Sequence, residues 1–345
     1  MKIDNLKDPK VGKPRVITPT RTPDILPVDG SDLAGLIDDY LLDCQVDELG
    51  EKTVQGYRYQ FDIFLTWWGV YGPAHGHLID PYALKQFIVW MRTYETQYGK
   101  PLESSSRNTT ARRLRQLFTW LYQTQRLSID ITDWVPLPSK KANPHTLVQL
   151  GNLAKLIRAA EGGRMPRRDA ALVAFLAATG ARRMEVAAVR VKDIQIHSDQ
   201  SGVSWLPEVK KTKDSIPRYV LFGPGTGRLL VAWLDELRSK KCNEDDLLFA
   251  LAHGGAVYKV IKRLGERAGI PDIKPHDLRR LFSTYWTAYH PADNRAGFML
   301  RLLLGHVGRD VTEAHYILLE HEDMRPFYVS PVEAVLGDGA KKWGE

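Results

Sequence analysis

Between residues 192 and 222 the hydrophobic pattern of this chain changes period. The runs "IQIH", "GVSWLPEV" and "PRYVLF" are short, rich in β-branched and aromatic residues, and divided by turn-forming stretches, with "KKTKDS" before the last. They predict three strands of a small antiparallel sheet. On both sides the period is helical: "LVQLGNLAKLIRAA" and "RDAALVAFLAAT", the latter ending at Gly180, precede the strands, and 226–240 and 253–268 follow them. This half of the chain therefore reads as α+β, a few strands set among helices.

The first half carries helical patterns only. Ser31 is placed as an N-cap before Leu33, Leu36, Ile37, Tyr40 and Leu41, which repeat on one face, and further helices are expected over 51–70, 80–97 and 104–125. Residues 1–30, rich in Pro and Gly, read as an extended arm. "PSKKANPHT" has the composition of an exposed basic linker. The expected organisation is an arm over 1–30, a helical domain over 31–135, a basic linker over 136–146, an α+β domain over 147–326 and a tail over 327–345. In the tail, Ser330 and Pro331 have the positions of an N-cap and first helical residue.

With 345 residues, 43% hydrophobic and 26% charged, both domains can hold cores. Cys44 and Cys242 lie far apart without metal-like spacing, so neither a disulfide scaffold nor a zinc site is indicated, and a reducing cytoplasm is the natural setting. No apolar run follows the N-terminal lysines, and none approaches the ~20 residues that span a bilayer. The formal charge of +7 favours a polyanionic partner. Arg and Lys cluster in "TTARRLRQLF", "GGRMPRRDA", "VKKTKDSIPR" and "HDLRR", although any one such cluster also suits a solvated helix face.

Four short motifs sharpen this. In "TGARRMEVAAV", Arg182 and Glu185 lie three apart on one helical face. In "KPHDLRRLFSTYW", His276 and Arg279 share a face beside the apolar stripe of Leu278, Leu281, Phe282 and Tyr285, where they can converge on one anion. "LLLGHVG" puts His306 directly after a glycine turn. Finally, "LGHVGRDVTEAHYILLEHED" predicts a helix from near Asp310, with Glu313 as a capping-box partner and Val311, Ala314, Ile317 and Leu318 as its apolar stripe. Tyr316 falls opposite that stripe. Singly, these motifs suit a surface ion pair, a capping histidine and a turn histidine. Together, two Arg, two His, a Lys and a Tyr are the parts of phosphoryl transfer without a metal. Arginines neutralise a phosphodiester bidentately, a tyrosine hydroxyl attacks it, and a lysine or histidine protonates the leaving oxygen.

On these motifs, in this order, the chain resembles the tyrosine recombinases of the phage integrase family over about residues 31–330. "TGARRMEV" resembles the family's Thr-Gly-x-Arg-x-x-Glu box, which implies a catalytic role for Arg182 and a supporting one for Glu185. "HDLRR" is similar to the His-x-x-Arg box and implies His276 and Arg279, while "LGH" implies His306. The family's lysine lies on a β-hairpin; counting back from "RYVLF" implies Lys213, with Lys211 as the alternative. The nucleophile implied is Tyr316, ten positions after His306 where family members commonly have nine, so an ungapped count falls on His315.

The resemblance implies a multidomain fold, with an all-α N-terminal core-binding domain and a mainly helical α+β catalytic domain that contains a small antiparallel sheet. It implies site-specific recombination of double-stranded DNA by a 3′-phosphotyrosyl intermediate, with no cofactor, metal or ATP. A homotetramer would act on two DNA sites in the nucleoid, assembling from a monomer or weak oligomer. Arg112, Arg113 and Arg115 on the fourth helix, Lys140 and Lys141 in the linker and Lys211 are the expected DNA contacts, and the tail is expected on a neighbouring subunit or on its own domain. The same residues would also serve a type IB topoisomerase, and a DNA-binding regulator without catalysis is the non-enzymatic alternative.

Overall fold

The first helix, α1 (Leu33–Val46), buries Leu33, Ile37, Tyr40, Leu41 and Cys44, spaced as one face of a 3.6-residue period requires. The computed structural model describes residues 28–139, 149–209, 217–305 and 321–336, and the chain divides into two compact units, one up to Pro144 and one from His145.

In the N-terminal unit α1 is joined by α2 (Glu51–Ala74), α3 (Pro81–Trp90) and α4 (Ser104–Gln123). Aromatic residues meet in its core: Phe64 of α2 packs on Phe87 of α3 edge to face, with ring centroids 4.9 Å apart. Helix α3 starts with Pro81 and with Asp80 accepting the Ala83 N–H at 2.6 Å. It ends at Trp90, short of the expected 97, where the chain folds back and Glu95 bridges Pro101.

One sequence expectation needs correction here. Ser31 is not the N-cap of α1; Asp32 holds that position without a side-chain bond, while the Ser31 N–H and hydroxyl both donate to Asp29. The helical unit also holds one short strand pair. Val28–Asp29 (β1) pairs antiparallel with Leu78–Ile79 (β2), and the indole of Trp68 donates to the Gly30 carbonyl at 3.0 Å, so the last residues assigned to the arm are built into the unit.

The second unit is organised around α6 (Pro166–Thr179), buried at every position from Asp169 to Thr179. A helix apolar all round needs cover on all sides. Helices α5 (Leu150–Glu161), α8 (Pro224–Ser239) and α10 (Pro275–Tyr289) supply it, together with the sheet. The sheet has the order β3 (Ile194–Ile196), β4 (Gly202–Leu206), β5 (Arg218–Phe222), antiparallel throughout, with Ser204 opposite Val220. Two further helices, α7 (Arg183–Ala188) and α9 (Gly254–Arg267), complete this core. A second cluster forms where Phe282 and Trp286 of α10 meet Met299, Leu303 and Leu304 of α11 (Asn294–Leu304).

The basic run "GGRMPRRDA" is partly structural. Asp169 is wholly buried, and Arg168 and Arg263 each reach its carboxylate at 2.7 Å.

Downstream of residue 320 the chain is pinned at several points. Arg325 donates to Ser201 Oγ at 3.1 Å, the His290 ring meets the Phe327 carbonyl at 2.8 Å, and the Tyr328 hydroxyl donates to the Ala178 carbonyl at 3.0 Å. In the C-terminal helix Pro331–Leu336, Val332 is fully buried and Glu333 accepts the Gly225 N–H at the start of α8. Tyr328 and Val332 join the core clusters of this unit.

Gly180 ends α6 with a left-handed φ of +62°, and a Cβ there would lie 2.6 Å from the Phe282 ring and 2.9 Å from Leu304. Gly180→Ala is therefore expected to cost about 2–4 kcal/mol, from the left-handed backbone and overpacking together. Urea unfolding would show this as a lower midpoint at unchanged slope.

Candidate active site

The turn after Gly180 makes Arg182 the N-cap residue of α7 and places Glu185 in its first turn. Glu185 is 1% exposed and accepts four bonds: from the Arg182 N–H at 2.6 Å, from Arg182 Nη1 at 3.0 Å, and from Arg218 Nη1 and Nη2 at 2.9 and 3.0 Å. Burial alone would raise its pKa; the hydrogen bonds and charge of Arg218, then the contacts with Arg182, outweigh this and hold it below the usual carboxylate range. Glu185 is thus a fixed anion. Arg182 keeps 35% of its side chain exposed.

Arg279, one turn into α10, is buried to 5% exposure. Its Nη1 donates to the Gly180 carbonyl and its Nη2 to the Leu304 carbonyl, both at 2.7 Å. Burial, and after it the charge of Arg182, pushes its pKa down to about 10, with Glu185 opposing. It stays cationic at neutral pH. The Leu304 carbonyl is one of the terminal acceptors of α11, and Arg218 Nε takes the neighbouring one, on Leu303, at 2.7 Å. Two arginines therefore close a helix end that would otherwise leave carbonyls unmet. Gly305 follows at φ +65°, where a Cβ would meet the Arg218 guanidinium at 2.9 Å. His306 is the next residue in the chain.

His276 lies in the first turn of α10, which Asp277 caps by accepting the Lys274 N–H at 2.9 Å. Although the residue is exposed, neighbouring atoms withdraw part of its ring from water; that, then Arg280 and Arg279, lowers its pKa, while Asp277 opposes. A lowered pKa favours the neutral imidazole, which can accept a proton.

Arg182, Glu185, His276 and Arg279 are thus assembled in one electrostatic neighbourhood. Lys211, Lys213, His306 and Tyr316, like Lys140 and Lys141 of the linker, lie outside the described residues. On α4 the three expected DNA-contacting arginines differ. Arg112 is exposed, with Nε donating to Asn108. Arg113 lies 3.9 Å over the Tyr57 ring, and Arg115 is tied to the Val135 carbonyl and Asp133. Arg218 belongs to none of the sequence motifs. Its signal in the sequence is that it shares the inward register of β5 with Val220 and Phe222, where a charged residue needs a buried partner.

The sequence profile of the phage integrase family matches residues 148–321, a span that holds this whole cluster. The chain belongs to the phage integrase family. Tyrosine recombinase XerD of Listeria monocytogenes serotype 4b is 26% identical over 292 residues, covering 81% of this chain and 93% of its own. Tyrosine recombinase XerA of Saccharolobus solfataricus is 31% identical over 170 residues, 48% of this chain and 51% of its own. Among solved structures, a lambda integrase (75–356) dimer bound to a COC′ core site superposes with a TM-score of 0.58 at 15% identity, covering 84% of this chain and 99% of that one. The XerH recombinase bound to its difH substrate gives 0.56 at 18% identity, over 84% and 81%. The fold of this integrase-family chain is accordingly that of two-domain recombinases. Among its described residues no helix is long and apolar enough to cross a membrane.

Proposed function

We infer that this chain is a tyrosine-type site-specific DNA recombinase, with Arg182, Lys213, His276, Arg279, His306 and Tyr316 as its catalytic residues and Glu185 in support. One observation carries the reading. Arg182 and Arg279 come from distant parts of the chain, yet share one neighbourhood with His276 and have buried partners that fix their positions.

A phosphodiester repels nucleophiles by its own charge, and two fixed guanidinium groups lower that barrier. The Tyr316 hydroxyl attacks the scissile phosphorus, forming a Tyr–O–P bond as the bond from phosphorus to the 5′-oxygen breaks. His276, held toward its neutral form, takes the phenol proton; Lys213 protonates the leaving 5′-oxygen; His306 donates to a nonbridging oxygen. The 3′-phosphotyrosyl ester keeps the energy of the broken bond. A 5′-hydroxyl of the partner duplex then attacks it in reverse, restoring the tyrosine without ATP.

Double-stranded DNA carrying specific sites is the proposed substrate. Among related proteins, a lambda integrase dimer binds a COC′ core site and a lambda integrase tetramer binds a Holliday junction. A homotetramer on two sites is the corresponding proposal here, in the cytoplasm at the nucleoid. Arg112, the most available of the α4 arginines, joins Lys140, Lys141 and Lys211 as a phosphate contact, with Arg113 and Arg115 contributing positive field from fixed positions.

The direct test is a nicked suicide duplex spanning the site, on which the wild-type protein is expected to accumulate a covalent 3′ adduct. Relaxation of supercoils on any DNA would instead indicate topoisomerase action. The role of Lys213 has its own signature: Lys213→Ala should slow cleavage about 10²–10³-fold with an ordinary 5′-oxygen and far less with a 5′-thiolate, which leaves without a proton. Equal slowing on both removes its acid role.

A further inference from the structure

Arg218 stands outside the set of residues that the family motifs imply, yet it is the main partner of the buried carboxylate at the site. Its side chain is 10% exposed. Two of its nitrogens hold the two oxygens of Glu185 and the third holds the last turn of α11. Arg182 makes one side-chain bond to the same carboxylate. Without Arg218, Glu185 would have Arg182 as its nearest cation and would cancel, for any arriving anion, much of the charge that Arg182 brings. With Arg218 present, the cluster of Arg182, Arg218, Arg279 and Glu185 holds three cations and one anion. The fork geometry matters as well, since only a planar guanidinium reaches both carboxylate oxygens and a backbone carbonyl at once.

We propose that Arg218 is a positioning residue for strand cleavage: it neutralises Glu185 from the inner side, leaving the charge of Arg182 to the scissile phosphate, and fixes the turn that leads into His306. The proposal rests on the recombinase reading. It separates two roles that a buried arginine can have, a rivet that only keeps the unit folded and a counter-ion that sets the charge felt by the substrate.

The full-length protein is tested on two nicked suicide duplexes, one with an ordinary scissile phosphodiester and one with a methylphosphonate there, which lacks the negative charge. Arg218→Gln is expected to slow adduct formation about 30-fold on the phosphodiester and only about threefold on the methylphosphonate, each relative to wild type. Arg218→Lys keeps the charge but not the fork; it should lose activity on both duplexes while keeping their ratio near that of wild type. Glu185→Gln combined with Arg218→Gln should recover part of the phosphodiester rate, because neither charge is then left unbalanced. Rates are referred to the folded fraction from urea unfolding, and if Arg218→Gln does not fold, Arg218→Lys is followed as pH rises, where loss of the lysine's charge should slow the phosphodiester and not the methylphosphonate; equal slowing on both there counts against the proposal as it does for Arg218→Gln. Equal slowing of Arg218→Gln on both duplexes, or an altered ratio in Arg218→Lys at neutral pH, overturns the proposal. Absence of any wild-type adduct on either duplex would overturn the recombinase reading instead.

Discussion

Tyr316→Phe is expected to abolish the covalent protein–DNA adduct, a fall of at least about 10⁴-fold, as removal of a nucleophile does elsewhere. Tyr328→Phe is expected to leave the adduct in place. The contrast follows from burial: Tyr328 is 3% exposed, donates its hydroxyl to the Ala178 carbonyl, and is held by that burial far from ionisation. Losing this bond should cost about 1–2 kcal/mol of stability, visible in unfolding but not in cleavage. His315 gives a third outcome. An adduct that survives Tyr316→Phe, is labile in acid and disappears in His315→Ala would place the phosphoryl group on that histidine and reverse the assignment.

Arg279→Ala should be nearly as damaging, and in two ways. It removes one of the two cations proposed to bind the phosphate, worth about 10²–10³-fold in cleavage rate. It also leaves the Gly180 and Leu304 carbonyls without the donors that now reach them at 2.7 Å, at a cost of about 2–4 kcal/mol. Arg279→Lys discriminates further. The burial that takes an arginine down to about 10 acts on a side chain whose ordinary pKa is only about 10.4, so the lysine variant should lose its charge as pH rises. Its activity should fall under mildly alkaline conditions in which the wild type retains full activity. Adduct rates against pH, with urea unfolding as a control, measure both effects; a pH profile like that of the wild type would argue against a phosphate-binding role for this cation.

The sequence announces what is local. Arg182 and Glu185 form a pair three residues apart, and Gly180 and Gly305 mark helix ends whose positive φ excludes other residues; such features are settled by helix geometry and can be read without a fold. The strands over 192–222 are legible from their β-branched and aromatic residues and the turn-forming stretches between them, and the three pair in sequence order. What comes from afar is not. The pairing of Val28–Asp29 with Leu78–Ile79 is only two residues long and joins segments about 50 apart. Arg218 finds Glu185 33 positions back and Leu303 85 positions on. On α4, Arg112, Arg113 and Arg115 look alike in sequence, and only the Tyr57 ring and the Val135 carbonyl distinguish them.

The pinning of the chain downstream of residue 320 sets a limit on where the chemistry can occur. Tyr316 and His321 are five positions apart, and a fully extended chain spans roughly 3.6 Å per residue, so the two Cα atoms stay within about 18 Å of each other whatever path lies between them. The short helix His321–Met324 leads into anchors at Arg325, Phe327 and Tyr328. With Tyr316 as the proposed nucleophile, a DNA strand joined to it would be moored on a short leash. In the proposed exchange it is the free 5′ end of the other duplex that would travel, and the moored phosphate that would wait for it.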